Sequence, residues 1–141
     1  MSDGNQNVNL KYMPEIDTLY IYFELDTPKI MVPSQLDDRV GIFVDKKTRK
    51  RICGYEIEGA LKSVPLNSKD LNLSLRQELA VGLYLVRMST NVSQEDMANE
   101  IGVDISVYHN LEKAEQDLSL DSFESIHKKS PLVKKLIALS R

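Results

Sequence analysis

Apolar and polar positions repeat with a period of two over the first half of the chain and with a period near 3.6 over the second. A period of two places alternate side chains on opposite faces of a strand, whereas 3.6 gathers them into one stripe of a helix. From Val8 to about Ile57 the pattern is strand-like. Between Thr18 and Leu25, the side chains Leu19, Ile21, Phe23 and Leu25 fall on one face and Tyr20, Tyr22 and Glu24 on the other, which predicts a half-buried strand. Val40, Ile42 and Val44 repeat the alternation. Ile52, Gly54, Tyr55 and Ile57 follow it after the polar run Asp45 to Lys50, and a polar loop between two β-rich runs is a hairpin signal. Asp26, Thr27 and Pro28 mark an earlier turn. The expectation is a small antiparallel sheet closed by a short helix near Glu58 to Lys62.

The period changes across Ser63 to Ser74, a stretch with Pro65, two Asn and three Ser. Beyond it five short helices are expected. Leu75, Leu79, Leu83 and Val86 form one stripe, with Ser74 and Gln77 spaced as a capping box. Ser93 starts a second helix whose apolar face is Met97, Ala98 and Ile101, and Gly102 stops it. Asp104 caps a third helix that buries Tyr108 and Leu111, leaving room between Ile101 and Ile105 for only a tight turn. Ser119 opens a fourth helix with Leu120, Phe123 and Ile126, and Ser130 followed by Pro131 opens a fifth. The fold class is thus α+β, with a β-rich domain over residues 8–62, a linker over 63–73 and a helical domain over 74–141.

Composition narrows the function classes. In 141 residues, 42% hydrophobic and 28% charged, no run approaches the length of a membrane-spanning helix, and the polar start Met1 to Asn9 has no secretory character. It reads as a frayed tail. The lone Cys53 lies in an apolar run, as a reduced core thiol of a cytoplasmic protein would. A net charge of -3 leaves any nucleic-acid contact to a local patch rather than to overall charge.

The run from Val92 to Val103 (VSQEDMANEIGV) resembles the helix-turn start of lambda-repressor-like regulators, the xenobiotic-response-element family. That resemblance implies a five-helix DNA-binding domain from Ser74 onward. It assigns Gln94 to a DNA phosphate, Ala98 to a close helix crossing and Gly102 to the left-handed turn. It pairs Arg87 with Glu112 in a partly buried salt bridge. Ile105, Ser106, Val107 and Asn110, with His109 nearby, are then aimed into the major groove. Asn110 is suited to adenine, and Ile105 or Val107 to thymine methyls. From Lys69 on, nine basic residues face eleven acidic ones, so positive potential must gather locally, with Lys128 and Lys129 among the lysines able to do so.

In the first half, the run from Leu10 to Ile21 (LKYMPEIDTLYI), followed by the run from Gly54 to Ala60 (GYEIEGA), resembles the small β-rich YuzE-like family. By analogy of domain company this implies an antitoxin-type autorepressor: double-stranded DNA for the helical domain, a toxin or other protein partner for the sheet domain, and a homodimer. The alternative left open is a protein-interaction module on a helix-turn-helix fold that no longer binds DNA.

Enzyme chemistry has little to stand on. His109, His127 and Cys53 show no metal-ligand spacing, and neither a nucleophile elbow nor a glycine-rich phosphate loop occurs, so no catalytic residue, metal or cofactor is expected. Asp37 with Asp38, and Glu56 with Glu58, read as acids of a turn and of an exposed strand face. Lys46, Lys47, Arg49, Lys50 and Arg51 put five cations in six residues, which suits either a soluble hairpin tip or a phosphate or acidic-partner contact. Tyr12, Tyr20 and Tyr22 are open to core packing or to an aromatic partner surface.

Overall fold

A computed structural model describes residues 7–35, 38–61 and 71–117. The chain divides into two compact units, Val8–Val64 and Pro65–Arg141 together with Met1–Asn7.

The first unit is a five-stranded antiparallel sheet of β1 (Asn9–Met13), β2 (Thr18–Tyr22), β3 (Lys29–Pro33), β4 (Val40–Asp45) and β5 (Ile52–Glu58), in the order β1-β2-β5-β4-β3. Register fixes which side chains share a face. Leu19 stands opposite Ile57 and Ile21 opposite Tyr55, with Tyr12 opposite Leu19 and Val40 opposite Ile57. All six are buried, as one apolar face of an antiparallel sheet should be. The β4–β5 pair is the hairpin read from the run Asp45 to Lys50, and its register shifts between Phe43 and Val44. Cys53 is a free, fully buried cysteine whose thiol is pushed up in pKa, chiefly by burial.

A buried latch sets the β1–β2 turn. Asp17 adopts a left-handed backbone conformation, and its carboxylate accepts the Tyr12 hydroxyl at 2.6 Å and the Leu61 N–H at 3.0 Å. Burial first, then the Asp17 carboxylate, push the Tyr12 phenol up to about 12 from its usual 10.0. A raised phenol favours the folded state while it stays protonated, so this contribution is complete below pH 10 and is lost as pH rises toward 12. Tyr12→Phe should therefore flatten the alkaline limb of the pH–stability curve over that window. An unchanged limb in a denaturant titration series would reject the latch.

The second unit holds α1 (Leu75–Thr90), α2 (Gln94–Ile101) and α3 (Ile105–Glu112). Ser74 and Gln77 form the full capping box on α1: the Ser74 side chain accepts the Gln77 N–H, and the Gln77 side chain accepts the Ser74 N–H. Ser93 caps α2 by accepting the Asp96 N–H, and Gly102 ends it at φ 77°. Leu79, Leu83 and Val86 of α1 close over Met97, Ala98 and Ile101 of α2 and Tyr108 and Leu111 of α3 in one core cluster.

Several expectations need correction. The second unit carries three helices among the described residues rather than five, and the fourth and fifth expected helices fall on residues 118–141, outside them. The sheet has two strands beyond those expected, β1 and β3. The short helix expected from Glu58 is a turn over Gly59 to Leu61, as far as the described residues run. The strand expected to reach Leu25 ends at Tyr22, and Leu25, 56% exposed, lies in the β2–β3 connection. Leu75, assigned to the buried stripe, is exposed at the first position of α1, a turn before Leu79, where the helix enters the core cluster. Asp104 occupies the N-cap of α3 without a side-chain cap bond. Among the described residues no helix is long and apolar enough to cross a membrane.

Candidate nucleic-acid interface

Three residues (Gly102, Val103 and Asp104) join α2 to α3. Glycine permits the positive φ that reverses the chain there without a steric cost. Val103 turns partly into the core, which fixes the direction in which α3 leaves the turn.

The three helices converge on one carboxylate. The Arg87 guanidinium donates to Glu112 through Nε at 2.7 Å and Nη2 at 3.1 Å, a bidentate pair. The Gln94 Nε2 donates to the same carboxylate at 3.0 Å. Arg87 retains 16% of its side-chain exposure and Glu112 6%, so the pair is largely desolvated, and Glu112 holds the Arg87 pKa above its ordinary value. A fork-to-fork pair of this kind has both strength and a defined geometry. Arg87 also lies over the Tyr84 ring, 5.6 Å from its centroid. Gln94 thus locks α2 to α3 through its side chain, a role the residue's position at a helix start did not signal.

The residues expected in a groove divide into two sets. Ile105, Ser106 and His109 are exposed, with Ile105 at 41%, and occupy the first turn and a half of α3. Residues 105 and 109, and 106 and 109, are helical neighbours, so the three share one face. Val107 instead packs partly against the core cluster, and the Asn110 side chain donates to Gln116 at 3.2 Å. Lys128 and Lys129 lie outside the described residues.

The described part of this unit is acidic overall. Residues 71–117 hold Arg76, Arg87 and Lys113 against eight carboxylates, and Glu95, Asp96, Glu100 and Asp104 are all exposed on α2 and the turn. Arg87 is paired with Glu112, and Arg76 with Asp117, whose carboxyl is held low by that guanidinium. Lys113, at the C-cap of α3, is the one cation outside an ion pair among the described residues of this unit.

No group of three or more His, Cys, Asp or Glu among the described residues could hold a metal ion. No family model, curated protein or solved structure matches the chain. The expected membership of a lambda-repressor-like family is therefore corrected: the described residues hold three helices, not a five-helix domain, and no family model supports it or the YuzE-like resemblance.

Proposed function

We propose that the helical unit binds duplex DNA with sequence preference, laying the first two turns of α3 in the major groove, and that the protein is a DNA-binding transcriptional regulator. The observation that carries this reading is the face made by Ile105, Ser106 and His109. A large β-branched side chain is left 41% exposed beside two hydrogen-bonding ones, on a helix otherwise committed to the core. Such a face can meet thymine methyls and base-edge donors and acceptors together. The Arg87–Glu112–Gln94 lock supports the reading by fixing α3 on α1 and α2, so the face is presented rigidly. The Gln94 side chain already has a partner and the Asp96 N–H is taken by the Ser93 cap, so a phosphate at the start of α2 would be met by the remaining first-turn N–H groups.

The test is selection from a pool of random duplexes by the full chain, followed by affinity measurements on the enriched sequence. Ile105→Ala and Ser106→Ala should each weaken binding to that sequence by about 1 to 3 kcal/mol and leave binding to random duplex nearly unchanged. Equal losses on both DNAs would reject base reading by α3.

The acidic surface favours a second reading, in which the same face docks a protein. A unit with eight carboxylates and three cations over residues 71–117 repels phosphate unless lysines elsewhere, such as Lys128 and Lys129, offset it. Failure of the selection to enrich any sequence at low salt would favour this reading. The antitoxin-type role adds a protein partner for the sheet unit and belongs with either.

A further inference from the structure

The sheet has a second face, opposite the buried one, and its side chains are sorted by chemistry along the strands. In one row Tyr22 and Phe43 both stand opposite Gly54, with Met31 opposite Phe43. Gly54 has no side chain to separate them, so the two rings meet at 5.6 Å between centroids. Tyr20 stacks on Tyr22 with the ring planes 2° apart, and the Lys29 ammonium sits 5.7 Å from the Tyr22 centroid. Met31 is 51% exposed, so this aromatic strip is open at its β3 side.

The two ends of the strip carry opposite charge. Beyond Phe43 lies the β4–β5 tip, where Lys46, Lys47, Arg49 and Lys50 are all exposed. At the other end a groove of about 200 Å³ opens, walled by Met31 and Pro33 on one side and by Glu56 and Glu58 on the other; Asp38 and Arg39 also line it, so its carboxylates outnumber its single guanidinium. Gly41 forms its floor: a Cβ there would lie 2.7 Å from the Met31 Sδ, so the groove exists because residue 41 has no side chain. An apolar wall facing two carboxylates suits the stem and head of a lysine or arginine. Asp45, where the tip begins, lies four residues from Gly41, about 13 Å along a strand.

We propose that this face binds a second copy of the chain, face to face about a twofold axis that runs across the strands. That rotation reverses strand direction, so the basic tip of each copy falls over the acidic groove of the other while the aromatic strips meet between them. Charge complementarity within one face points to a second copy. A C2 interface needs a patch complementary to itself, and this face carries both halves of each contact. A foreign basic peptide fills the groove but leaves the cationic tip unanswered, and nucleic acid matches the tip but meets Glu56 and Glu58. This proposal does not rest on DNA binding by α3, and either can fail alone.

Sedimentation equilibrium of the full chain, checked for folding by circular dichroism, tests it. The wild type should dimerise. Glu56→Lys with Glu58→Lys should weaken the dimer at least tenfold, as should Lys46→Glu with Lys47→Glu. Because each pair faces the other across the twofold, combining all four reversals should restore much of the wild-type association. Met31→Ser, on the apolar wall of the groove, should weaken the dimer without changing the charge at either end. A monomeric wild type would overturn the proposal, including one that takes up single-stranded nucleic acid on the strip. So would a dimer indifferent to these changes, or reversals that weaken association singly and do not rescue each other.

Discussion

Glu112→Ala should lower the stability of the helical unit by about 3 to 5 kcal/mol, the largest loss expected from any single buried charge among the described residues. The side chain is 6% exposed and accepts from Arg87 twice and from Gln94 once. Removing it strands a guanidinium that is itself only 16% exposed, and a desolvated cation without a partner costs far more than the net worth of the pair. It also frees α3 from α1 and α2 at the point where all three meet. Glu112→Gln keeps the shape and one acceptor, so its cost should be smaller than that of the alanine. Native-state hydrogen exchange of α1, α2 and α3 reads both, because it reports the opening free energy of each region separately. Amides of α1 to α3 exchanging at wild-type rates in Glu112→Ala would show that the pair does not hold the unit together.

Gly54→Ala should destabilise the sheet by about 3 kcal/mol, at the upper end of what an overpacked methyl costs. A Cβ at residue 54 would lie 2.3 Å from the Ile21 carbonyl oxygen and 3.2 Å from the Tyr22 Cα, and both are backbone atoms of the neighbouring central strand. Nothing there can rotate aside, so β2 and β5 must move apart and lose ladder hydrogen bonds. Gly41→Ala is the natural control. Its Cβ would meet the Sδ of Met31, a flexible and half-exposed side chain that can swing away, so its cost should stay below about 1 kcal/mol. Comparable losses for the two alanines, measured by exchange of the β2 and β5 amides, would contradict this account of the close approach.

What could be read from sequence follows the strength of each local signal. The α1 and α2 starts were legible because Ser74 with Gln77 and Ser93 with Asp96 place cap and partner three residues apart, and Gly102 supplies the one φ that ends α2. The Arg87–Glu112 pair is implied by the family resemblance alone, and the two side chains form a salt bridge although no family model matches. The strands β1 and β3 were missed for opposite reasons. β1 is short and mixes Asn9 and Lys11 with Leu10, while β3 ends in Pro33, a residue that demotes a strand reading although an edge tolerates it. Alternation alone does not say which face is buried, so it leaves Tyr20 and Tyr22 between core and surface. Register answers this, since Tyr20 shares its face with Glu56 and Tyr12 shares its own with Leu19. Among the groove residues, spacing could not separate Ile105, Ser106 and His109 from Val107 and Asn110. That division depends on how far α3 rolls into the core and on Gln116, which lies beyond the helix.

The most direct test of the central claim is a salt titration of the full chain on DNA taken from upstream of its own gene. Because Arg76 and Arg87 are committed to Asp117 and Glu112, the described part of the helical unit offers Lys113 alone for phosphate neutralisation. The account predicts sequence-preferring binding with a shallow dependence of log affinity on log salt, corresponding to about two to four released counterions, and a further flattening when Lys128 and Lys129 are reversed to Glu. Absence of any sequence preference at low salt would contradict it and leave the face of Ile105, Ser106 and His109 to a protein partner.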